Sequence, residues 1–267
     1  MPYRQVIAEA YNAGVKEEYN RLTESPLREA EYQLIIDLLD EYLPNGSVVI
    51  DIGSGPGRYA EHLLKRECKV GLVDLSANSL KAFSDRIENT HFQSNIIFNQ
   101  VSCATNLDWI ASNSADAILL MGPLYHLIDK NHQAIALAHC HRILKCGGHL
   151  FTVFLSPFQQ NKPAPMDRSK PGIQSMPTIT HTWFKGYQVP QFRCCPSEAK
   201  SILSNSHFNT IRVRNIEGTV SLLPDSHWKG SWTEQKKKVL LNSLKETCEI
   251  PDLLGQTHQF VCVAKRG

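Results

Sequence analysis

Between residues 48 and 155 the chain alternates short apolar runs with stretches of helical spacing, and few architectures accommodate that pattern. The runs are Val48-Val49-Ile50, Val70-Gly71-Leu72-Val73, 95–101 with Ile96, Ile97 and Phe98, Ala117-Ile118-Leu119-Leu120-Met121, and 149–155. Runs without a period of two suit strands buried on both faces. The intervening stretches 58–66, 77–88 and 132–144 read as helices, the last closed by Gly147-Gly148. Strands alternating with helices predict a parallel, doubly wound sheet.

The pattern breaks on both sides of this core. Residues 4–22 read as a polar helix, and 27–42 as a second one opened by Ser25-Pro26 and ended by Pro44-Asn45-Gly46. Residues 156–190 hold prolines at 157, 163, 165, 171, 177 and 190 and no periodicity. Alternation resumes with a helix over 197–206 behind Pro196, and a strand over 211–216. A second excursion, 218–257, contains a helix at 233–247 and leads to a last strand at 259–264. The expected division is a helical cap over 1–44, a core over 45–155, an inserted lid over 156–190, and a return to the core over 191–267 with a second insertion at 218–257.

Composition excludes several classes. Hydrophobic residues make up 42% and charged residues 20%, the make-up of a folded chain. The 28 Lys+Arg against 26 Asp+Glu leave +2, which gives no general attraction to nucleic acid. Lys236-Lys237-Lys238 reads as a solvated helix face. No apolar run reaches the roughly 18 residues of a membrane span, and the first residues lack the order of a signal peptide, so a soluble cytoplasmic protein is expected. The eight cysteines include no Cys-x-x-Cys pair, and in His139-Cys140-His141 consecutive helical residues point apart, so no metal is expected.

The most informative stretch is Val49-Ile50-Asp51-Ile52-Gly53-Ser54-Gly55-Pro56-Gly57, a buried strand entering a glycine turn and then a helix. Glycine lets a ligand lie against the main chain, and the carboxyl end of such a strand is where open α/β sheets bind ligands. A dinucleotide site wants Gly-x-Gly-x-x-Gly; here the spacing is Gly-x-Gly-x-Gly, Pro56 removes one N–H, and Asp51 disfavours a pyrophosphate. Asp51 suits a cationic ligand, and Asp74, at the end of the second strand, can accept ribose hydroxyls.

With these residues, the sequence resembles a class I S-adenosylmethionine-dependent methyltransferase. Residues 48–59 resemble that family's first motif, and Gly71-Leu72-Val73-Asp74-Leu75-Ser76 its acidic second-strand motif. Ala115 to Leu120 resembles the fourth-strand motif, and Leu144-Lys145-Cys146-Gly147-Gly148-His149-Leu150 the usual Leu-Lys-Pro-Gly-Gly-x-Leu with cysteine for proline. The resemblance implies an α/β fold: a seven-stranded Rossmann-like methyltransferase sheet of order 3-2-1-4-5-7-6 with the last strand antiparallel. It implies S-adenosylmethionine as cofactor, with Gly53, Ser54, Gly55 and Gly57 around its methionine and ribose and Asp51 ordering the loop or meeting the amino group. Asp74 would take the ribose hydroxyls, and Leu75 would pack on adenine. Cys103-Ala104-Thr105 stands where relatives carry an acidic residue near the adenine amine, so Ala104, Thr105 and Leu107 would contact adenine instead. Met121 would flank the site, and Tyr19 would close over the cofactor as an N-terminal tyrosine does in relatives.

Gly122-Pro123-Leu124-Tyr125-His126-Leu127 resembles a segment of a bacterial small-molecule-like subgroup. Tyr125 and His126 would line the reaction chamber, His126 either as a proton acceptor or as a local hydrogen-bonding strut. Methyl transfer needs alignment more than a strong base, so a catalytic base is not required. Arg28 is expected at the surface, with a carboxylate partner as the alternative. The aromatics Phe158, Trp183, Phe184, Tyr187, Trp228 and Trp232 of the two excursions would grip a substrate or form the lid's own core. The relatives' Tyr-Phe-His stretch has no histidine at Tyr187-Gln188-Val189-Pro190-Gln191-Phe192, and a subgroup histidine is matched by His258. The expected activity is methyl transfer to an oxygen or nitrogen of a small molecule, with a macromolecular acceptor or a non-catalytic cofactor-binding module as alternatives.

Overall fold

The computed structural model describes residues 2–157, 178–223 and 225–267. Its centre is a seven-stranded sheet of β1 (Val48–Ile52), β2 (Lys69–Asp74), β3 (Ile96–Val101), β4 (Ala115–Leu120), β5 (Leu144–Leu155), β8 (Phe208–Asn215) and β9 (Gln259–Arg266). Their order is β3-β2-β1-β4-β5-β9-β8. The first five run parallel, and β9 lies antiparallel between β5 and β8. Leaving aside the separate two-stranded sheet of β6 (Ile179–Phe184) and β7 (Tyr187–Phe192), this is the topology that the sequence implied.

Both faces of the sheet are covered, which explains the unalternating apolar runs. Val49, Ala117, Leu119, Phe151, Val153, Val261 and Val263 pack against α3 (Pro26–Tyr42), α4 (Arg58–Lys65) and α5 (Ala77–Ile87). Ile50, Ile52, Ile118, Leu120, Leu150, Phe154 and Phe260 pack against α7 (Lys130–Ile143) and α8 (Pro196–Asn205). Adjacent positions serve opposite faces, as the pleat requires.

Three local readings change in the structure. The polar stretch 4–22 is two helices, α1 (Pro2–Ala13) and α2 (Val15–Arg21), parted at Gly14. A Cβ on Gly14 would stand 2.3 Å from the ring of Phe184, so the break is where the chain passes closest to the β6–β7 hairpin. Gly147-Gly148 does not close a helix. The helix stops at Ile143, Leu144 is already extended, and the glycines turn the chain inside the first part of β5. There Gly147 adopts φ +75° and a Cβ on Gly148 would press on the carbonyls of Lys145 and Asp116. Leu107 is fully buried in the core rather than placed for adenine.

The lid segment is partly a hairpin: β6 and β7 join through Lys185-Gly186, both at positive φ, the geometry of a tight two-residue turn. Residues 158–177, including Phe158, lie outside the described residues. The hairpin packs on α1 through Ile7, Ala10, Val189, Phe184 and Tyr187. The second excursion supplies α9 (Glu234–Thr247), which packs on α3 through Leu27, Ala30, Leu34, Leu244 and Cys248. Lys237 bonds Glu29 of α3, so the lysine run is partly a docking contact. Trp228 and Trp232 stack on each other and Trp228 joins the α3–α9 cluster, whereas Trp183 is 72% exposed.

Candidate active site

Ile52, Asp74 and Leu120 end β1, β2 and β4 together at the carboxyl end of the sheet, beside the point where the strand order turns from β1 to β4. Open α/β sheets hold ligands at that point. A cavity opens there, lined from the sheet by Asp51, Gly53, Ser54, Gly55, Asp74, Leu75, Ala104 and Met121.

The glycine turn is held from behind. The N–H groups of Gly53 and Ser54 donate to the carbonyl of Val73 (2.7 and 3.2 Å), and that of Gly55 to Asp74 Oδ2 (2.7 Å). Asp74 Oδ1 accepts from Ser76 N–H (2.7 Å). Each carboxylate oxygen has a second lone pair, so Asp74 can fix the loop and still accept from a ligand. Burial pushes its pKa up to about 6, against the lowering effect of those backbone bonds.

The three glycines are not equivalent. A Cβ on Gly53 would meet the ring of Pro123 at 2.4 Å and one on Gly57 the ring of Phe83 at 2.3 Å; these two exist for packing. Gly57 caps α4 in the left-handed conformation and does not line the cavity. Gly55, at φ +52°, has nothing closer to such a Cβ than Glu18 at 3.7 Å, so a side chain there would enter the cavity itself.

Asp51 is 3% exposed, and its Oδ2 has no hydrogen-bond partner among the described residues. Burial first, and then the Asp74 carboxylate, push its pKa up to about 8. A buried acid without a partner, at the edge of an open cavity, is matched by a cationic or N–H-bearing ligand group. The ammonium group of S-adenosylmethionine is such a group, and the glycine cradle leaves room beside it, so these residues fit the cofactor.

The other wall comes from outside the core. Tyr3, Ile7 and Tyr11 of α1 and Glu18 and Arg21 of α2 face the glycine turn. Tyr19 does not line the cavity: its hydroxyl donates to Glu61 (3.2 Å) and its ring lies under the guanidiniums of Arg58 and Arg86. Tyr11 occupies the covering position instead, and no sequence motif marked it. Thr105 also stands back; its hydroxyl accepts from Arg4 (2.5 Å), which does line the cavity.

Tyr125 and His126 sit on the one-turn helix α6 (Pro123–His126), started by Pro123 directly after β4. Both line the cavity. His126 Nδ1 is 3.0 Å from the carbonyl of Pro190 in β7, so this nitrogen carries the proton and donates. Nε2 therefore accepts from the Tyr11 hydroxyl (2.9 Å). Burial holds the pKa of His126 down to about 4, and burial raises Tyr125 to about 12 and Tyr11 well above the usual phenol range. His126 is thus a neutral strut joining α1, α6 and the hairpin.

A second cavity, of about 560 Å³, adjoins the first and shares Tyr11, Glu18, Arg21 and Tyr125 with it. Its far side is Arg28, Gln191, Arg193, His258 and Gln259, and its roof is Thr180 to Phe184 of the hairpin. Arg28 turns inward here rather than to the surface, donating to Glu31 (2.6 Å) and to Glu217.

Residues 49–148 match the family model described as a methyltransferase domain. That domain makes the chain a methyl-transferring enzyme with S-adenosylmethionine as its cofactor. Among solved structures, the chain is similar to a Burkholderia thailandensis 1,6-didemethyltoxoflavin-N1-methyltransferase (16% identity, 99% of this chain and 89% of that one, TM-score 0.60). It is also similar to a chain from the complex between the Haloferax volcanii Trm112 methyltransferase activator and its methyltransferase (13% identity, 96% of each chain, TM-score 0.59). A third, the cyclase SpnF, is 16% identical over 87% of this chain and 80% of that one, with TM-score 0.54. These likenesses show the fold, and the cyclase among them shows that the fold by itself does not fix a reaction. No curated protein matches the chain in sequence. Among the described residues no helix is long and apolar enough to cross a membrane.

Proposed function

We propose that this chain transfers a methyl group from S-adenosylmethionine to an oxygen or nitrogen of a small molecule held in the second cavity. The observation that carries this is the junction of the two cavities at Tyr11, Glu18, Arg21 and Tyr125, roofed by the hairpin. The Gly122-to-Leu127 segment, which resembles a small-molecule subgroup, supports the reading by lying at that junction. The Burkholderia enzyme similar in fold is named for N1-methylation of a small molecule, which is in keeping with it.

Asp51 would hold the cofactor's ammonium group, Asp74 its ribose hydroxyls, and Leu75 and Ala104 its adenine; Gly55 would leave the space for its chain. The bound cofactor supplies a methyl carbon activated by its sulfonium. With the cofactor bound, an acceptor in the second cavity would have its lone pair aligned with that carbon, and transfer would leave S-adenosylhomocysteine and a proton released to water. His126 does not take that proton, since both of its nitrogens are engaged and it binds protons weakly. Its part is positional: with Tyr11 and Tyr125 it fixes the wall against which the acceptor is aligned, and alignment is the main requirement of a displacement.

The test pairs binding with transfer. S-adenosylmethionine and S-adenosylhomocysteine, but not NAD, should stabilise the chain, by about 2.7 kcal/mol at a hundredfold excess over Kd. Gly55→Asn, a side chain that tolerates the positive φ at this position, should abolish that shift while the chain keeps its fold. Labelled methyl should pass to members of a panel of phenols, amines and nitrogen heterocycles. Labelling of RNA or protein alone would overturn the small-molecule reading.

A further inference from the structure

Arg28 lines the second cavity and not the first, and only one of its side-chain nitrogens is engaged. Nη1 donates both to Glu31 (2.6 Å) and to Glu217. Nε and Nη2 donate to nothing among the described residues, and neither is closed off from solvent. Two carboxylates thus fix the guanidinium through one nitrogen and leave its Nε–H/Nη2–H fork open. Arg21, on the same cavity wall, is held in a similar way. Its Nε and Nη1 donate to Glu18 and Glu31 (3.0 Å each), and its Nη2 donates to nothing among the described residues. Glu31 accepts Arg21 on Oε1 and Arg28 on Oε2, which sets the two guanidiniums side by side.

Resting on the reading of this cavity as the acceptor's, we propose that Arg28 sets the acceptor class: its Nε–H/Nη2–H fork grips a carboxylate on the methyl acceptor, with Arg21 Nη2 as a second donor. Two parallel N–H groups match the two oxygens of a carboxylate, and such a bidentate, charge-assisted pair fixes orientation as well as adding affinity. The charges on the cavity wall agree. Arg21, Arg28 and Arg193 line it, and Glu18 is the one carboxylate among the described lining residues. Glu31 and Glu217, 3% and 1% exposed, stand behind Arg28 and do not reach the cavity. Arg193, 6% exposed, is held by Thr180, Gln191 and the carbonyl of Ser156. Burial, and then Arg193 and Arg28, hold His258 down to about 4, so its imidazole adds no charge of its own. An ammonium on the ligand would face three guanidiniums, and a dianionic phosphate would bring a second negative charge toward Glu18. Where the two cavities join, the wall carries the aromatic rings of Tyr11 and Tyr125. An aromatic acid would thus set its carboxylate on Arg28 and its ring against these tyrosines, with the reacting atom toward the cofactor.

The test uses the full chain saturated with S-adenosylhomocysteine, so that the cofactor's own carboxylate is already placed, and benzoate as the probe. The Arg28 Nε–H group is followed by nitrogen NMR, its signal assigned by its loss in Arg28→Lys. Saturable displacement of that signal by benzoate is expected, with benzamide, its neutral isostere, at least about tenfold weaker, roughly 1.4 kcal/mol. Arg28→Lys keeps a cation for Glu31 and Glu217 but removes the fork. It should weaken benzoate by a similar factor while S-adenosylhomocysteine binds as before, which also shows that the variant is folded. An unmoved Arg28 signal overturns the proposal, as does unchanged benzoate affinity in Arg28→Lys or a preference for benzamide or phenyl phosphate. If no small molecule accepts labelled methyl but benzoate still moves Arg28, the carboxylate site stands and the acceptor reading falls. If methyl passes only to neutral acceptors, the acceptor reading stands and the carboxylate proposal falls.

Discussion

At the residue scale, the buried acid Asp51 links proton binding to both stability and cofactor affinity. Its pKa is raised to about 8 in the unliganded fold against about 3.9 for a free aspartate. Between those values the folded state binds more protons than the unfolded state, so stability falls as pH rises through that window, on the order of 1 kcal/mol per pH unit at most. Glu217, pushed up to about 7 by burial, acts in the same direction. Asp51→Asn should flatten this slope and raise the melting temperature of the unliganded protein at pH 8. A cationic partner restores the carboxylate, so cofactor binding should release a proton and tighten as pH rises to about 8. Calorimetry in buffers of different ionisation enthalpy reads that release directly; proton uptake instead would place the ammonium group away from Asp51.

At the scale of elements, the contact between α1 and the β6–β7 hairpin decides how the cavities close. It joins residues far apart in the chain through a gap that only glycine fits, at Gly14 under the Phe184 ring. Gly14→Val should separate the two elements, at a cost of about 1–3 kcal/mol as for other overpacked contacts. Amide exchange should then speed up in α1 and β7 while the sheet stays protected. Unchanged exchange in β7 would mean that His126 and Tyr11 hold the hairpin without that contact. Position 14 carried no warning in the sequence, because a polar helix with one glycine reads the same whether or not a hairpin crosses it. Gly147-Gly148 misleads in the opposite way: glycine after a helical stretch ordinarily ends a helix, but here β4 lies close enough to require it inside the strand.

At the scale of the whole molecule, a chain of charged groups runs from Glu18 through Arg21, Glu31 and Arg28 to Glu217, tying the N-terminal helices to the β8–β9 end of the sheet. Glu31, only 3% exposed, is the hinge of that chain and also accepts from Gln259 (2.8 Å). Glu31→Gln should leave two guanidiniums undercompensated. They are about a third exposed, so water screens them, and the expected loss lies below the ~3–5 kcal/mol of a fully buried broken pair. Denaturant unfolding measures it, and a loss under about 0.5 kcal/mol would show that the chain is screened like a surface pair.

Much of the core was legible beforehand because its constraints are local. A strand buried on both faces is apolar nearly throughout, a turn at positive φ favours glycine, and an acid at a strand end stands out against both. Those rules singled out Asp51, Gly53, Gly55 and Asp74, and the family resemblance added Ser54, Leu75, Ala104, Met121, Tyr125 and His126; all of them line one cavity. Tyr19 and Thr105 stand near it but turn to other partners, because a side chain's direction depends on neighbours the motif does not contain, and Gly57 caps α4 under the Phe83 ring. Tyr11, Glu18, Arg21, Arg28, Glu217 and His258 come together only when cap, hairpin and β9 meet. By itself the sequence determined the alternation of strands and helices and the glycine turn between Asp51 and Gly57, since both follow from short-range pattern and backbone geometry, while the strand order came from the family resemblance. Tertiary structure alone decided the second cavity and the state of its ionisable groups, since burial and pairing are properties of segments brought together from opposite ends of the chain.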